Sequence, residues 1–493
     1  MRVRRDVAAA LLLAIFTALP VSAGTSNDAL LKLLQVLRDR GSISADEFDA
    51  IRSLADAPAT PPAPVTAPRP GGPAPVADVA QATPAAGPDA LRPAPAAAAP
   101  AAAAAVKPEV AAARPAPVAA WYDRLQLRGY SQFRYGEAWS PAGPALEVPA
   151  DRAVNRNESF VLRRGRLVLQ GDVADHLSLY VQSDFNGSPG SGDFALQMRD
   201  LYGDVWLDKA KTYRVRVGQS KVPFGWVNMQ SSSNRAPLER PDALNSAVEG
   251  ERDLGAFLMW ENAAAKQRFR ELANAALKGS GDYGVLSAGI YSGQGLNRSD
   301  QNGNPHVFVR ASYPFKTKGG RFVELGVAAY RGRFVVPTQS LTAGGATFTP
   351  TQDARGVVDE HPAFTAVVYP QPFGLEAEWN VGRGPQLTSD LRRIETRALQ
   401  GGYVQLNYHA KNGTGTWFPF TRWQYYDGAR KFARNAPADL VNEIDVGVEF
   451  AKWSEVEITG MFTHTFQRTR TSTFPFVRTR DANRVGLQVQ WNY

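Results

Sequence analysis

The sequence predicts an all-β protein: a 16-stranded antiparallel transmembrane β-barrel, preceded by a short α-helical hairpin and a disordered Pro/Ala-rich linker. Three observations carry that expectation. Past Trp121, segments of about 9–13 residues alternate strictly between apolar and polar residues. Aromatic residues gather near the ends of those segments, as interfacial girdles do. The chain closes on a strand pattern whose last residue, Tyr493, is aromatic and in the apolar phase, the pattern outer-membrane proteins present to their assembly machinery.

The elements follow in order. Residues 1–23 read as a signal peptide: Arg2, Arg4 and Arg5, an apolar run from Val7 to Leu19, and the small-residue site Val21-Ser22-Ala23. The apolar run falls short of the ~20 residues a membrane-spanning helix needs. In residues 24–55, Leu30, Leu33, Leu34 and Leu37 recur at helical spacing before Gly41. Ser44-Ala45-Asp46-Glu47 then forms a capping box ahead of Phe48, Ile51 and Leu54. Two helices this short are marginal alone, so a periplasmic hairpin that self-associates or binds a partner such as peptidoglycan is expected. Residues 56–120 hold 16 Pro and 27 Ala, which forbid both a continuous helix and a core. This is an extended linker, reaching ~3.1 Å per residue.

From residue 121 to 493 the period changes to two. Val485, Leu487, Val489, Trp491 and Tyr493 alternate with Arg484, Gly486, Gln488, Gln490 and Asn492. Leu177, Leu179 and Val181 alternate with Ser178, Tyr180 and Gln182 in the same way. A soluble sandwich would turn the apolar faces inward, but its strands are usually 5–6 residues long. The longer segments suit tilted membrane strands with apolar faces to lipid. Sixteen segments can be counted, at 125–136, 160–173, 176–186, 194–207, 211–220, 252–262, 282–291, 305–314, 321–334, 361–370, 373–383, 399–410, 415–427, 441–452, 454–468 and 481–493. Such a barrel leaves an aqueous channel. The aromatics assigned to its girdles include Trp206, Trp260, Tyr291, Tyr313, Tyr369, Trp417 and Trp453.

Composition narrows the function. With no cysteine among 493 residues, a disulfide scaffold, a thiol nucleophile and cysteine-based metal sites are excluded. A mean hydropathy of −0.29 excludes a multi-helix membrane protein. The region 121–493 holds 34 Arg and 10 Lys against 37 acidic residues, about +7. In a narrow lumen such charges concentrate anions, so the basic balance points to an anion path rather than to nucleic acid. No cofactor or metal is expected.

Strand parity selects candidates for that path. In 160–173 the polar phase sends Arg164 and Arg166 inward; Arg163 falls in the opposite phase unless a bulge rotates it. Arg214 and Arg216 point inward from 211–220, as do Arg128 and Arg134 from the first segment. In 194–207, Asp200, Tyr202 and Asp204 are inward and Arg199 is on the other face. Lys221 opens a loop of some thirty residues bearing the run Ser231-Ser232-Ser233, Arg235 and Arg240. A loop that long is usually functional and can fold inward to narrow a pore. The plainer reading of inward arginines is that they pair with Asp or Glu and hydrate the wall.

The runs Leu162-Arg163-Arg164-Gly165-Arg166-Leu167 and Gln170-Gly171-Asp172 resemble the arginine-rich early strand of the phosphate-selective porin O and P family. Two later runs are similar to the same family: Met198-Arg199-Asp200-Leu201-Tyr202-Gly203, and Val217 to Gly225 followed by Glu239-Arg240. The resemblance, strongest over 125–260, implies a usually trimeric outer-membrane channel for phosphate, polyphosphate or other small anions. It carries Arg163, Arg164, Arg166 and Lys221 into a constriction, with Asp200 as a neighbouring acceptor. Three other readings compete. An outer-membrane enzyme lacks a serine motif, and the five histidines are scattered. A tether to the cell wall through residues 26–120 is compatible with transport. A general diffusion porin, or one for acidic organic solutes, would use the same barrel.

Overall fold

The structure, a computed structural model, describes residues 121–139, 160–187, 194–470 and 476–493. The signal peptide, helical hairpin and linker expected within 1–120 lie outside the described residues.

A short turn of helix at Trp121–Arg124 leads into β1 (Leu125–Trp139), β2 (Val161–Ala174), β3 (Leu177–Gly187), β4 (Phe194–Trp206) and β5 (Tyr213–Lys221). After the helix α1 (Asp242–Ala247) come β6 (Arg252–Trp260), the helix α2 (Ala263–Asn274), β7 (Leu286–Tyr291), β8 (His306–Lys316) and β9 (Phe322–Phe334). A small hairpin, β10 (Leu341–Ala343) and β11 (Ala346–Phe348), precedes β12 (Val357–Val368), β13 (Phe373–Leu387) and β14 (Ile394–Tyr408). The strip β15 (Ala410–Asn412) is followed by β16 (Gly415–Ala429), β17 (Ala438–Trp453), β18 (Val456–Arg470) and β19 (Val477–Asn492).

Sixteen of these strands close one antiparallel barrel. Each pairs with the next; β9 pairs with β12, β14 with β16, and β1 closes the ring on β19 with Tyr130 opposite Asn492. Closure removes every sheet edge, which a lipid environment demands. All sixteen segments expected from the alternation correspond to ring strands, with ends moved by a few residues.

The two phases face as the alternation requires. On β19, Arg484, Gln488 and Gln490 are buried inside, while Val485, Leu487 and Trp491 are exposed outside. One end of the barrel carries mostly short turns, such as 175–176 and 454–455, and the other carries the long loops. Short turns mark the periplasmic end of an outer-membrane barrel.

Two features depart from the sequence reading. Residues 263–274, outside the sixteen expected segments, are helical: the run is Ala-rich without β-branched residues, and Asn262 caps it, its Oδ1 accepting from Ala265 N at 2.8 Å. Tyr291 and Tyr369 do not join a girdle. They turn into the lumen and are almost fully buried there.

Candidate functional site

The lumen is filled unevenly. From β6 round to β17, inward aromatic side chains including Phe257, Phe308, Tyr330, Tyr403 and Tyr426 pack with Phe224, Trp226 and Leu244 of the loop after β5. That loop, 222–251, folds inward across the lumen. Trp226 donates through its indole Nε1 to Glu324 at 3.1 Å and through its backbone to Glu378 at 2.5 Å. Asn380 donates to Ala243 O at 3.1 Å, and Arg422 to Glu239 O at 2.7 Å. Buried carboxylates, an amide and a guanidinium on the far wall thus hold the loop in a setting where unpaired polar groups would be costly.

A second segment enters from the short-turn end. The connector 261–285 runs from β6 to β7, yet Lys278 within it pairs with Glu449 of β17 at 2.7 Å. In the closed ring β17 stands eight strands from β6, so the connector spans the barrel's diameter. It also meets the inward loop: Gln230 donates to Lys278 O at 2.6 Å and Asn234 to Gly279 O at 2.9 Å. Burial disfavours the Lys278 ammonium, but Glu449 and Glu457 outweigh that and raise its pKa. An eccentric vestibule of about 1050 Å³ opens against β1–β5, bounded by Gly279–Tyr283 of the connector.

Along that wall lie the charged residues expected from the sequence. Three guanidinium groups converge on the single carboxylate of Glu239: Arg134 at 2.7 Å, Arg163 at 2.8 Å and Arg164 at 3.3 Å. Burial would lift the Glu239 carboxyl, but the charges of Arg163, Arg164 and Arg134 overrule it and hold its pKa well below the usual value. Beside them Arg235 is 5% exposed, and none of its three guanidinium nitrogens has a hydrogen-bond partner. Burial, then the charge of Arg164, pushes its pKa well below the ordinary arginine value.

A second group adjoins the first. Arg252 donates to Asp200 at 2.9 Å and pairs with Glu251, which Arg240 also engages. Lys221 donates to the carbonyls of Met229 and Gln230 at 2.9 and 2.7 Å and stands 3.8 Å from Glu251. Its ammonium therefore clamps the inward loop while facing this cluster. Arg166 binds Asp184 at 3.0 Å and reaches Tyr130 and Ser232 at 2.7 and 2.9 Å. With Arg199, these nine cations meet four carboxylates: Asp184, Asp200, Glu239 and Glu251.

Nearer the short-turn end the charges balance. Arg216 makes a bidentate pair with Asp204 at 2.7 and 2.9 Å, and Arg214 binds Asp282 at 3.1 Å. Here the plainer reading of paired wall charges applies.

Two β-bulges decide what simple parity could not. The register between β1 and β2 slips at Gln132/Phe133, where Arg164 and Leu162 are the partners and Arg163 is left over. The bulge rotates Arg163 inward to Glu239. A second slip between β3 and β4 leaves Arg199 as the extra residue. Its side chain turns inward and donates to Gly250 O at 3.1 Å, correcting its assignment to the outer face. Glu251 and Arg252 stand in no motif of the sequence, and Glu239 enters only through the Glu239-Arg240 run. Their one local signal is the Glu-Arg pairing at 239–240 and 251–252, either side of α1.

A closed sixteen-stranded barrel with apolar outer faces and a charged, loop-constricted lumen defines a transmembrane diffusion channel. The profile of the family described as phosphate-selective porin O and P matches residues 145–491. The chain belongs to that family and is an outer-membrane porin. A search of curated proteins finds no match. Among solved structures, the chain is similar to the outer membrane channel DcaP of Acinetobacter baumannii, with 14% identity, a TM-score of 0.45, and 75% of this chain and 97% of that one covered. It is also similar to an anion-selective porin from Comamonas acidovorans (12% identity, TM-score 0.42, 75% and 99% covered). A third is OmpF of Salmonella typhi in complex with daunomycin (15% identity, TM-score 0.46, 75% and 98% covered).

Proposed function

We propose that this porin conducts small anions passively, phosphate or polyphosphate among them, through the constriction built by Arg163, Arg164, Arg166, Lys221, Arg235 and Arg240. The observation that carries the reading is the group around Glu239: three guanidinium groups share one carboxylate, and a fourth beside them, Arg235, has no hydrogen-bond partner. A buried guanidinium left in that state favours an anion, because its planar donor fork matches phosphate and carboxylate oxygens. Arg214 and Arg216, paired with Asp282 and Asp204, line the approach as a balanced wall, while Asp200 stands beside the constriction, paired with Arg252. An anion exchanges its water for these donors stepwise, held firmly enough to enter and loosely enough to leave.

A second reading, a general diffusion porin, is favoured by the pairs Arg216–Asp204 and Arg214–Asp282, which cancel part of the field. The proposal extends to a lipid-embedded homotrimer exported by residues 1–23 and inserted by the outer-membrane assembly machinery. Its segment 24–120 then lies in the periplasm.

Single-channel current of the refolded protein in a potassium chloride gradient, with phosphate titrated in, tests the reading. Anion-directed reversal with phosphate blocking chloride current is expected. A cation-directed reversal potential sinks it, and anion preference without phosphate block leaves the general porin.

A further inference from the structure

The vestibule wall contains a feature that inorganic phosphate does not use. Tyr180 of β3 and Tyr202 of β4 are register partners, both pointing inward, with rings stacked nearly parallel (7°) at 5.0 Å. The Arg216 guanidinium lies over the Tyr202 ring at 3.8 Å, and Tyr283 of the connector lies 5.5 Å from the same guanidinium. The result is a column of flat groups, Tyr180–Tyr202–Arg216–Tyr283, along the cavity. Aromatic faces set in an aqueous lumen gain by stacking on another flat group.

The column ends at Tyr180. Beyond it on the neighbouring strands stand Gln170, opposite Tyr180 in the β2–β3 register, and Arg128, which donates to the Gln170 amide oxygen at 3.2 Å. Unlike Arg166, Arg214 and Arg216, Arg128 forms no ion pair with a carboxylate among the described residues. Two further lining groups are nine-tenths or more buried and have polar atoms without a hydrogen-bond partner: Gln182 through Nε2 and Ser280 through its hydroxyl. A flat face, an uncompensated cation and unused hydrogen-bonding groups thus meet in one cavity large enough for an organic solute.

We propose that this vestibule is a binding subsite for planar aromatic carboxylates, the ring stacking on Tyr180 and the carboxylate meeting Arg128. The inference rests on the anion-conducting reading above and names an organic class of anion for the short-turn side of the constriction. Stacking of this kind contributes about 0.5–1.5 kcal/mol, or about twofold to tenfold in affinity.

The test uses the refolded full chain in planar bilayers, with benzoate, acetate and phosphate as blockers of chloride current. Benzoate is expected to block at a concentration at least about threefold lower than acetate. Tyr180→Leu should abolish that difference while leaving phosphate block in place, and Tyr180→Phe should keep it. Arg128→Gln should weaken benzoate with little effect on phosphate. Equal block by benzoate and acetate in the native channel overturns the subsite, as does a benzoate preference that survives Tyr180→Leu. Should Tyr180→Leu not refold, Arg128→Gln and the native comparison still decide. Failure of the underlying reading shows separately, as a cation-directed reversal potential in potassium chloride alone.

Discussion

Removing the Arg235 charge probes the constriction most directly. Arg235 makes no hydrogen bond that a substitution would break, so Arg235→Gln chiefly deletes a charge. Around it, Arg134, Arg163 and Arg164 already share Glu239, which leaves the group about three charges positive with Arg235 and two without it. A unit charge about 4 Å from an anion is worth about 1 kcal/mol at the dielectric of water and about 4 kcal/mol at an effective value near 20. The lower bound already predicts about fivefold weaker binding. Phosphate block of chloride current in single channels should therefore need at least about fivefold more phosphate in Arg235→Gln. Glu239→Gln removes the only carboxylate of the group and should shift block the opposite way, toward lower phosphate. Both effects should shrink as salt rises, since the Debye length falls from about 10 Å at 0.1 M to about 3 Å at 1 M. Equal block in the native protein and both variants would refute the placement of the anion at this cluster.

Other outcomes follow from the same geometry. Lys278→Ala or Glu449→Gln breaks the pair that holds the connector across the lumen, leaving a buried charge unpaired. Single-channel conductance should rise and become noisier, and an unchanged trace would show that the connector does not obstruct the path. Glu261 is raised to about 8, by burial first and then by the Asp282 charge, with Arg214 and Lys266 acting in the opposite sense. A carboxyl with a raised folded-state pKa stays protonated in the folded barrel while its unfolded counterpart ionises near 4.3, so the stability of its neutral form is lost between those values, and above about 8 Glu261 is charged beside Asp282. Conductance should increase above that pH in the native channel and lose the step in Glu261→Gln. Gly218 has a φ of 127°, and a Cβ there would sit 2.8 Å from Tyr202 Cα. Gly218→Ala should lower the temperature at which the folded barrel loses its heat-modifiable band on a gel.

Much of this protein is legible as pattern. Period-two alternation is local, set by the opposite directions of successive side chains, so it marks the sixteen ring strands and sends Arg164, Arg166, Arg214 and Arg216 inward without reference to any distant residue. The long stretch after Lys221 also announces itself, by length and lack of period. Beyond that, tertiary structure decides. One extra residue inverts the face of a side chain, and the slips that turn Arg163 and Arg199 inward are visible only once two strands are paired. Whether Tyr291 and Tyr369 meet lipid or a lumen core depends on the inward loop that gives them an apolar partner. The connector's reach from β6 to Glu449, and the convergence of three arginines on Glu239, join residues far apart in the chain. Local propensity sets strands and their faces. The vestibule and the arginine cluster beside it depend on distant segments that fold into the lumen.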